Sequence, residues 1–176
     1  DTLVGGAGAD VLDGGAGFDI ADYSSAGGIV VRMDGLAGTA GEANGDVLIS
    51  IEQVIGSALA DIIIGSTGAD TMVGGDGDDI FRPDLGADTL DGGNGNDTVD
   101  YSSSGSALTV NLTNAALSTG LAQGDTIKLR RPIFSGGGYS LSARQVLADA
   151  ATSTTGRTIS AEGITSSMRQ PLVAPT

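Results

Sequence analysis

GSALADIIIGSTGADTMVGGDGDDIFRPDLGADTLDGGNGNDTVD, residues 56–100, is the stretch that decides how this chain folds. It divides into five units of nine with no slip of register: GSALADIII, GSTGADTMV, GGDGDDIFR, PDLGADTLD and GGNGNDTVD. Position 6 is aspartate in every unit, as Asp61, Asp70, Asp79, Asp88 and Asp97. Glycine recurs at positions 1, 2 and 4, and a large apolar residue stands at position 8. A fixed period of this kind marks a stacked repeat, whose units bury a common face only by piling on one another. A shorter block, GGAGADVLD at 5–13 and GGAGFDIAD at 14–22, puts Asp10 and Asp19 in the same phase. Residues 1–4 read as the tail of a further repeat, so the chain is expected to be part of a longer polypeptide.

The unit has a local logic. Gly-Gly-x-Gly permits positive φ, which side chains resist, so the first six residues read as a tight turn. The last three alternate polar and apolar and suit a short strand with one side chain pointing in. The predicted inward set is Leu12, Ala21, Ile63, Met72, Phe81, Leu90 and Val99. Two units then make one turn of a flattened coil with two parallel sheets, and each repeat stacks on the one eighteen residues away. Gly56 is thereby set over Gly74, Gly65 over Pro83, and Gly74 over Gly92. Backbone carbonyls and the position-6 carboxylates face the gap between turns. Those ligands are all oxygen, which suits a hard cation with six to eight loose ligands, calcium rather than zinc or copper. Turn-forming tendency alone explains the residue types. It does not demand a constant nine-residue phase.

These repeats resemble those of the RTX (repeats-in-toxin) family, the hemolysin-type calcium-binding nonapeptide repeats. The resemblance covers roughly residues 1–125 and implies an all-β fold: a calcium-bound parallel β-roll, or β-solenoid. The residues between and after the blocks are expected to give looser intervening strands and a poorly ordered C-terminal tail. It implies several calcium ions held by the side chains of Asp10, Asp19, Asp61, Asp70, Asp79, Asp88 and Asp97. Carbonyls around Gly6, Gly8, Gly15, Gly17, Gly75, Gly77, Gly93 and Gly95 are implied to complete the shells. Ser57, Leu59, Ser66, Pro83 and Asp84 depart from the glycine positions and leave the sites beside them open. The resemblance further implies a secreted, extracellular protein exported by a type I secretion apparatus.

Composition agrees with a metal-dependent fold. Thirty glycines and 3% aromatics argue against a conventional globular core, and the absence of cysteine leaves no disulfide to staple the chain. Residues 1–125 hold 20 acids against only Arg32 and Arg82, whereas residues 126–176 hold six bases against Asp149 and Glu162. The acidic part repels itself unless a cation is present, so metal binding and folding are expected to be one event. Solubility alone would explain the charge too, but it predicts folding without metal. Nucleic acid is a poor partner for such a field. No signal peptide and no membrane span are visible.

A second repetition overlies the first. GGAGFDIADYSS at 14–25 matches GGNGNDTVDYSS at 92–103, and each copy runs through a hydrophobic alternation and a small-residue loop to Gly45-Asp46 or Gly124-Asp125. The expected organisation is therefore a repeat block at 1–22, an intervening segment at 23–55, a second block at 56–100, a second intervening segment at 101–125, and an atypical basic tail at 126–176. Tyr23 and Tyr101 are expected to cover a core edge. After Asp125 the two copies diverge in sequence. Three readings of 126–176 stay open: a genuine domain, a linker, or an out-of-frame translation. A short helix is conceivable at 140–151.

No catalytic residues are assigned. With no histidine, neither a Ser-His-Asp relay nor a zinc triad can be built. Acid–base work by paired carboxylates needs one raised pKa, and aspartates facing a cation are expected to have lowered ones. Asp76–Asp79 lacks the twelve-residue loop of an EF-hand, and no third glycine completes a dinucleotide loop after Gly8. The leading expectation is a calcium-binding structural module. The alternatives are an accessory roll of a secreted protease, lipase or alginate epimerase, and the stalk of an adhesin.

Overall fold

Every position-6 aspartate is followed at once by a strand. The structure is a computed structural model, and it describes residues 1–104, 108–111, 118–129, 133–136 and 139–142. Its strands are β1 (Thr2–Leu3), β2 (Val11–Asp13), β3 (Ile20–Asp22), β4 (Val30–Arg32), β5 (Val47–Ile49), β6 (Gln53–Ile55), β7 (Ile62–Ile64) and β8 (Thr71–Asp76). They continue as β9 (Ile80–Arg82), β10 (Thr89–Asn94), β11 (Thr98–Tyr101), β12 (Leu108–Asn111), β13 (Thr126–Lys128), β14 (Ile133–Gly136) and β15 (Tyr139–Ser142).

Among the described residues every strand pairing is parallel. One sheet has the order β1-β3-β6-β8-β10-β13 and the other β14-β11-β9-β7-β4, with β2-β5 and β12-β15 as two-stranded additions. Successive repeats alternate between the two sheets, which makes the fold a parallel β-roll. Within the repeat blocks the partner lies eighteen residues on, as in Thr71↔Thr89, Ile62↔Ile80, Ile80↔Thr98 and Thr2↔Ile20. The intervening segments lengthen the turn without breaking it: Ile20 pairs with Gln53 and Val11 with Val47.

The core is two columns of inward residues. Ala21, Val54, Met72 and Leu90 lie in register on one sheet, and Val31, Ile63, Phe81 and Val99 on the other. All eight are fully buried, and Leu12 packs beside Leu48. The whole predicted inward set is thus inside, because a three-residue strand between two turns can hide only its middle side chain.

The pairing also runs beyond Asp125. Strands β13, β14 and β15 lie on β10, β11 and β12, as β5, β6 and β7 lie on β2, β3 and β4. Sequence divergence after Asp125 therefore does not end the coil. Parallel ladders are made by backbone groups, and Ile127 supplies the partly buried apolar residue that the inward position requires. The helix conceived at 140–151 begins instead as strand, through Ser142. Its remainder, and the rest of the tail for which poor order was expected, lie outside the described residues.

Candidate metal centre

The three glycines of a unit do three different jobs. At position 1, the repeat's own carboxylate fills the space of a side chain: a Cβ on Gly74 would sit 2.0 Å from Asp79 Oδ2, and one on Gly92 2.3 Å from Asp97 Oδ2. At position 2 the backbone is left-handed, with φ of +112° at Gly75 and +77° at Gly93. At position 4 the next turn presses close, so a Cβ on Gly95 would stand 1.7 Å from the carbonyl of Gly77. Carbonyls of one turn therefore face the turn stacked above it. Gly6, Gly8, Gly15 and Gly17 share the left-handed backbone.

The aspartates form ladders along the two edges of the roll. The Asp61 N–H donates to Asp79 Oδ1 (2.9 Å), and that of Asp79 to Asp97 Oδ1 (3.2 Å). On the other edge, Asp70 donates to Asp88 Oδ1 (3.0 Å), and Asp88 to Asp125 Oδ1 (3.1 Å). In the first block, Asp10 N–H donates to Asp46 Oδ1 (2.9 Å) and Asp19 N–H to Glu52 Oε2 (2.9 Å). The amino group of Asp1 lies 2.5 Å from Asp19 Oδ1, one rung earlier. All seven aspartates singled out from sequence stand on these ladders.

Oδ1 of Asp19, Asp79, Asp88 and Asp97 is thus engaged; the second oxygen separates the rungs. The buried Oδ2 atoms of Asp10, Asp19, Asp79, Asp88 and Asp97 have no hydrogen-bond donor. A carboxylate only accepts, and an ionised oxygen buried without a partner is costly. Burial accordingly pushes the Asp79 and Asp88 pKa values up to about 7, and raises Asp97 as well. The lowering expected from a facing cation belongs to the loaded site; without the ion, desolvation wins.

A hard cation supplies what these oxygens lack. Among the described residues no three carboxylates gather in one group, so each ion would draw one or two carboxylate oxygens and take the rest from turn carbonyls. Calcium, with its loose shell of six to eight oxygens, accepts such a mixture. The residues present fit the metal.

Sequence reasoning missed five members of the ladders. Asp46, Asp125 and Glu52 belong to no nonapeptide, yet they accept the N–H of Asp10, Asp88 and Asp19. Tyr23 and Tyr101 are buried as expected, but their hydroxyls donate to Asp46 Oδ2 (2.9 Å) and Asp125 Oδ2 (2.6 Å). Burial, then the neighbouring carboxylate, raises the Tyr23 and Tyr101 pKa values, so both hydroxyls keep the proton they donate. A signal was present: Tyr and Gly-Asp recur together in both copies of the long repeat.

Phased glycine turns, laddered aspartates and parallel sheets define a calcium-binding β-roll. Residues 1–21, 55–90 and 84–103 match the family model of the RTX calcium-binding nonapeptide repeat, in four copies. Residues 1–21 and 55–103 thus carry RTX repeats, and the metal such repeats bind is calcium. No curated protein gives a significant match to the chain.

Proposed function

We propose that this chain is a structural module of a secreted bacterial RTX protein that folds when it meets calcium outside the cell. The observation that carries this reading is the set of five buried Asp Oδ2 atoms without a donor, in a segment holding 20 acids against two arginines. At submicromolar calcium inside a cell, those charges oppose collapse. At the roughly millimolar calcium outside, which extracellular modules are tuned to bind, the ions complete the turns and folding follows. Staying unfolded before export suits passage through a type I secretion apparatus as part of a larger polypeptide. The role is architectural, and seven position-6 aspartates with the glycine carbonyls of their turns are its ligand set. Among the described residues no helix is long and apolar enough to cross a membrane.

The test is a calcium titration of the chain followed by far-UV circular dichroism, with magnesium and chelator as controls. A cooperative gain of β signal in calcium alone is expected. A full β signal in chelator at neutral pH would overturn calcium-coupled folding.

A further inference from the structure

Two of the position-6 aspartates are unlike the other five. Asp61 Oδ2 accepts from the Ser57 N–H (2.6 Å), while its Oδ1 accepts from the Ser57 hydroxyl (2.9 Å) and the Ile29 N–H (2.8 Å). Asp70 repeats the arrangement, with the Ser66 N–H on Oδ2 (2.5 Å) and the Ser66 hydroxyl on Oδ1 (3.0 Å). Each serine also accepts from the N–H two residues on, Leu59 or Gly68, both at 3.0 Å. Neither carboxylate keeps an oxygen without a donor.

Backbone conformation gives a second difference, from four of those five; the unit of Asp88 has Asp84 at position 2 and shares the bare Oδ2 without a glycine there. Gly6, Gly15, Gly75 and Gly93, at position 2 of their units, have φ between +77° and +112°. Ser57 and Ser66 occupy the same position, and Ser50 is the one non-glycine residue with positive φ among those described. The serine turns therefore close on their own carboxylate in a different shape. Asp46 and Asp125 reach the same end by other means, with a ladder N–H on Oδ1 and a tyrosine hydroxyl on Oδ2.

We propose that the roll contains two kinds of rung, and that a serine at position 2 of the unit closes its rung to metal. Asp10, Asp19, Asp79, Asp88 and Asp97 take calcium, whereas protein donors replace the ion elsewhere: the N–H and hydroxyl of Ser57 and Ser66 at Asp61 and Asp70, and the hydroxyls of Tyr23 and Tyr101 at Asp46 and Asp125. A neutral hydroxyl satisfies a carboxylate oxygen by hydrogen bonding as a cation does by coordination. The hydroxyl is always present, at any calcium concentration. Residues 53–72 then form a metal-independent step between two metal-dependent blocks. This inference rests on the calcium reading above and narrows its ligand set to five of the seven aspartates.

The experiment counts bound calcium per chain by isothermal titration calorimetry and native mass spectrometry, on the whole 176-residue chain. In Ser57→Gly/Ser66→Gly the turns regain the glycine pair, lose the hydroxyls on Oδ1 and are free to turn left-handed at position 2, away from the shape that sets the N–H on Oδ2, so at least one additional calcium ion is expected. A count that stays the same or falls, in a variant that still gains β signal in calcium, overturns the proposal. Should that variant fail to fold, Gly6→Ser/Gly15→Ser tests the converse. A Cβ at Gly6 or Gly15 meets nothing within 4 Å, so the cost of serine is confined to its left-handed backbone (φ +79° and +81°); sealing Asp10 and Asp19 is expected to lower the count, read in a variant that still gains β signal in calcium. An unchanged count there also overturns the proposal. If the unaltered chain binds no calcium at all, the calcium reading itself fails; if it binds calcium and the variants match it, only the present inference fails.

Discussion

The nonapeptide block at 56–100 and the intervening segment at 23–55 build the same coil by opposite means. The block completes a turn in eighteen residues and has no chain to spare, so its glycines press turn against turn. Asp79 and Asp97, in its closing units, keep an oxygen that nothing in the protein satisfies. The intervening segment takes 33 residues to carry β3 to β6. Its extra length brings Tyr23 onto Asp46 and Glu52 onto the Asp19 N–H. A longer turn thus brings distant side chains to carboxylates, whereas the closing units of the block, without a serine at position 2, leave an oxygen bare.

Protons should blur that contrast most. The folded pKa values of Asp79 and Asp88, about 7, lie above the ordinary 3.8. The calcium-free fold therefore holds protons that the unfolded chain has released. It gains stability as pH falls from about 7 towards 4 and loses it as pH rises back. In chelator, β signal should return on acidification, while calcium affinity weakens over the same window. A chelated chain with the same spectrum at pH 7 and pH 4.5 would contradict this.

Core truncation should come next. Phe81→Ala in the block removes the largest apolar side chain from the centre of the roll, at a cost of about 3–5 kcal/mol. Leu48→Ala in the first intervening turn should cost about 2–5 kcal/mol. Urea unfolding in saturating calcium reads both. If Phe81→Ala cost less than Leu48→Ala, the block's stability would come from its ions rather than from its core.

The smallest effect should sharpen the comparison best. Tyr101→Phe leaves Asp125 Oδ2 without its donor, and Tyr23→Phe does the same for Asp46. Each should cost about 1–3 kcal/mol and should not lower the number of bound calcium ions. Loss of a calcium ion in either variant would show that these rungs also hold metal.

Much of this was legible without coordinates. The constant phase of aspartate and glycine yields the turn, the strand, the inward residue and the eighteen-residue stacking, because each follows from neighbours within two units. The inward positions from Leu12 to Val99 are all buried for that reason. The partners of Asp46 and Asp125 were not legible. Those bonds span 23 and 24 residues to the tyrosines and 36 and 37 to the ladder N–H groups. Their formation depends on how a loop of irregular length folds back onto the roll. The continuation of the coil through β15 was hidden as well, since the side chains change while the backbone pairing does not.

By itself, then, the sequence determined the period, the parallel two-sheet coil, its apolar columns and an oxygen-only ligand set suited to calcium. These are local properties, repeated until stacking becomes the only way to bury them. Only the tertiary structure decided which carboxylates lack a donor and which are sealed by Ser57, Ser66, Tyr23 or Tyr101. That distinction turns on hydrogen-bond distances of about 3 Å between groups set by the turn's shape and by the chain's return, and a repeat pattern carries neither.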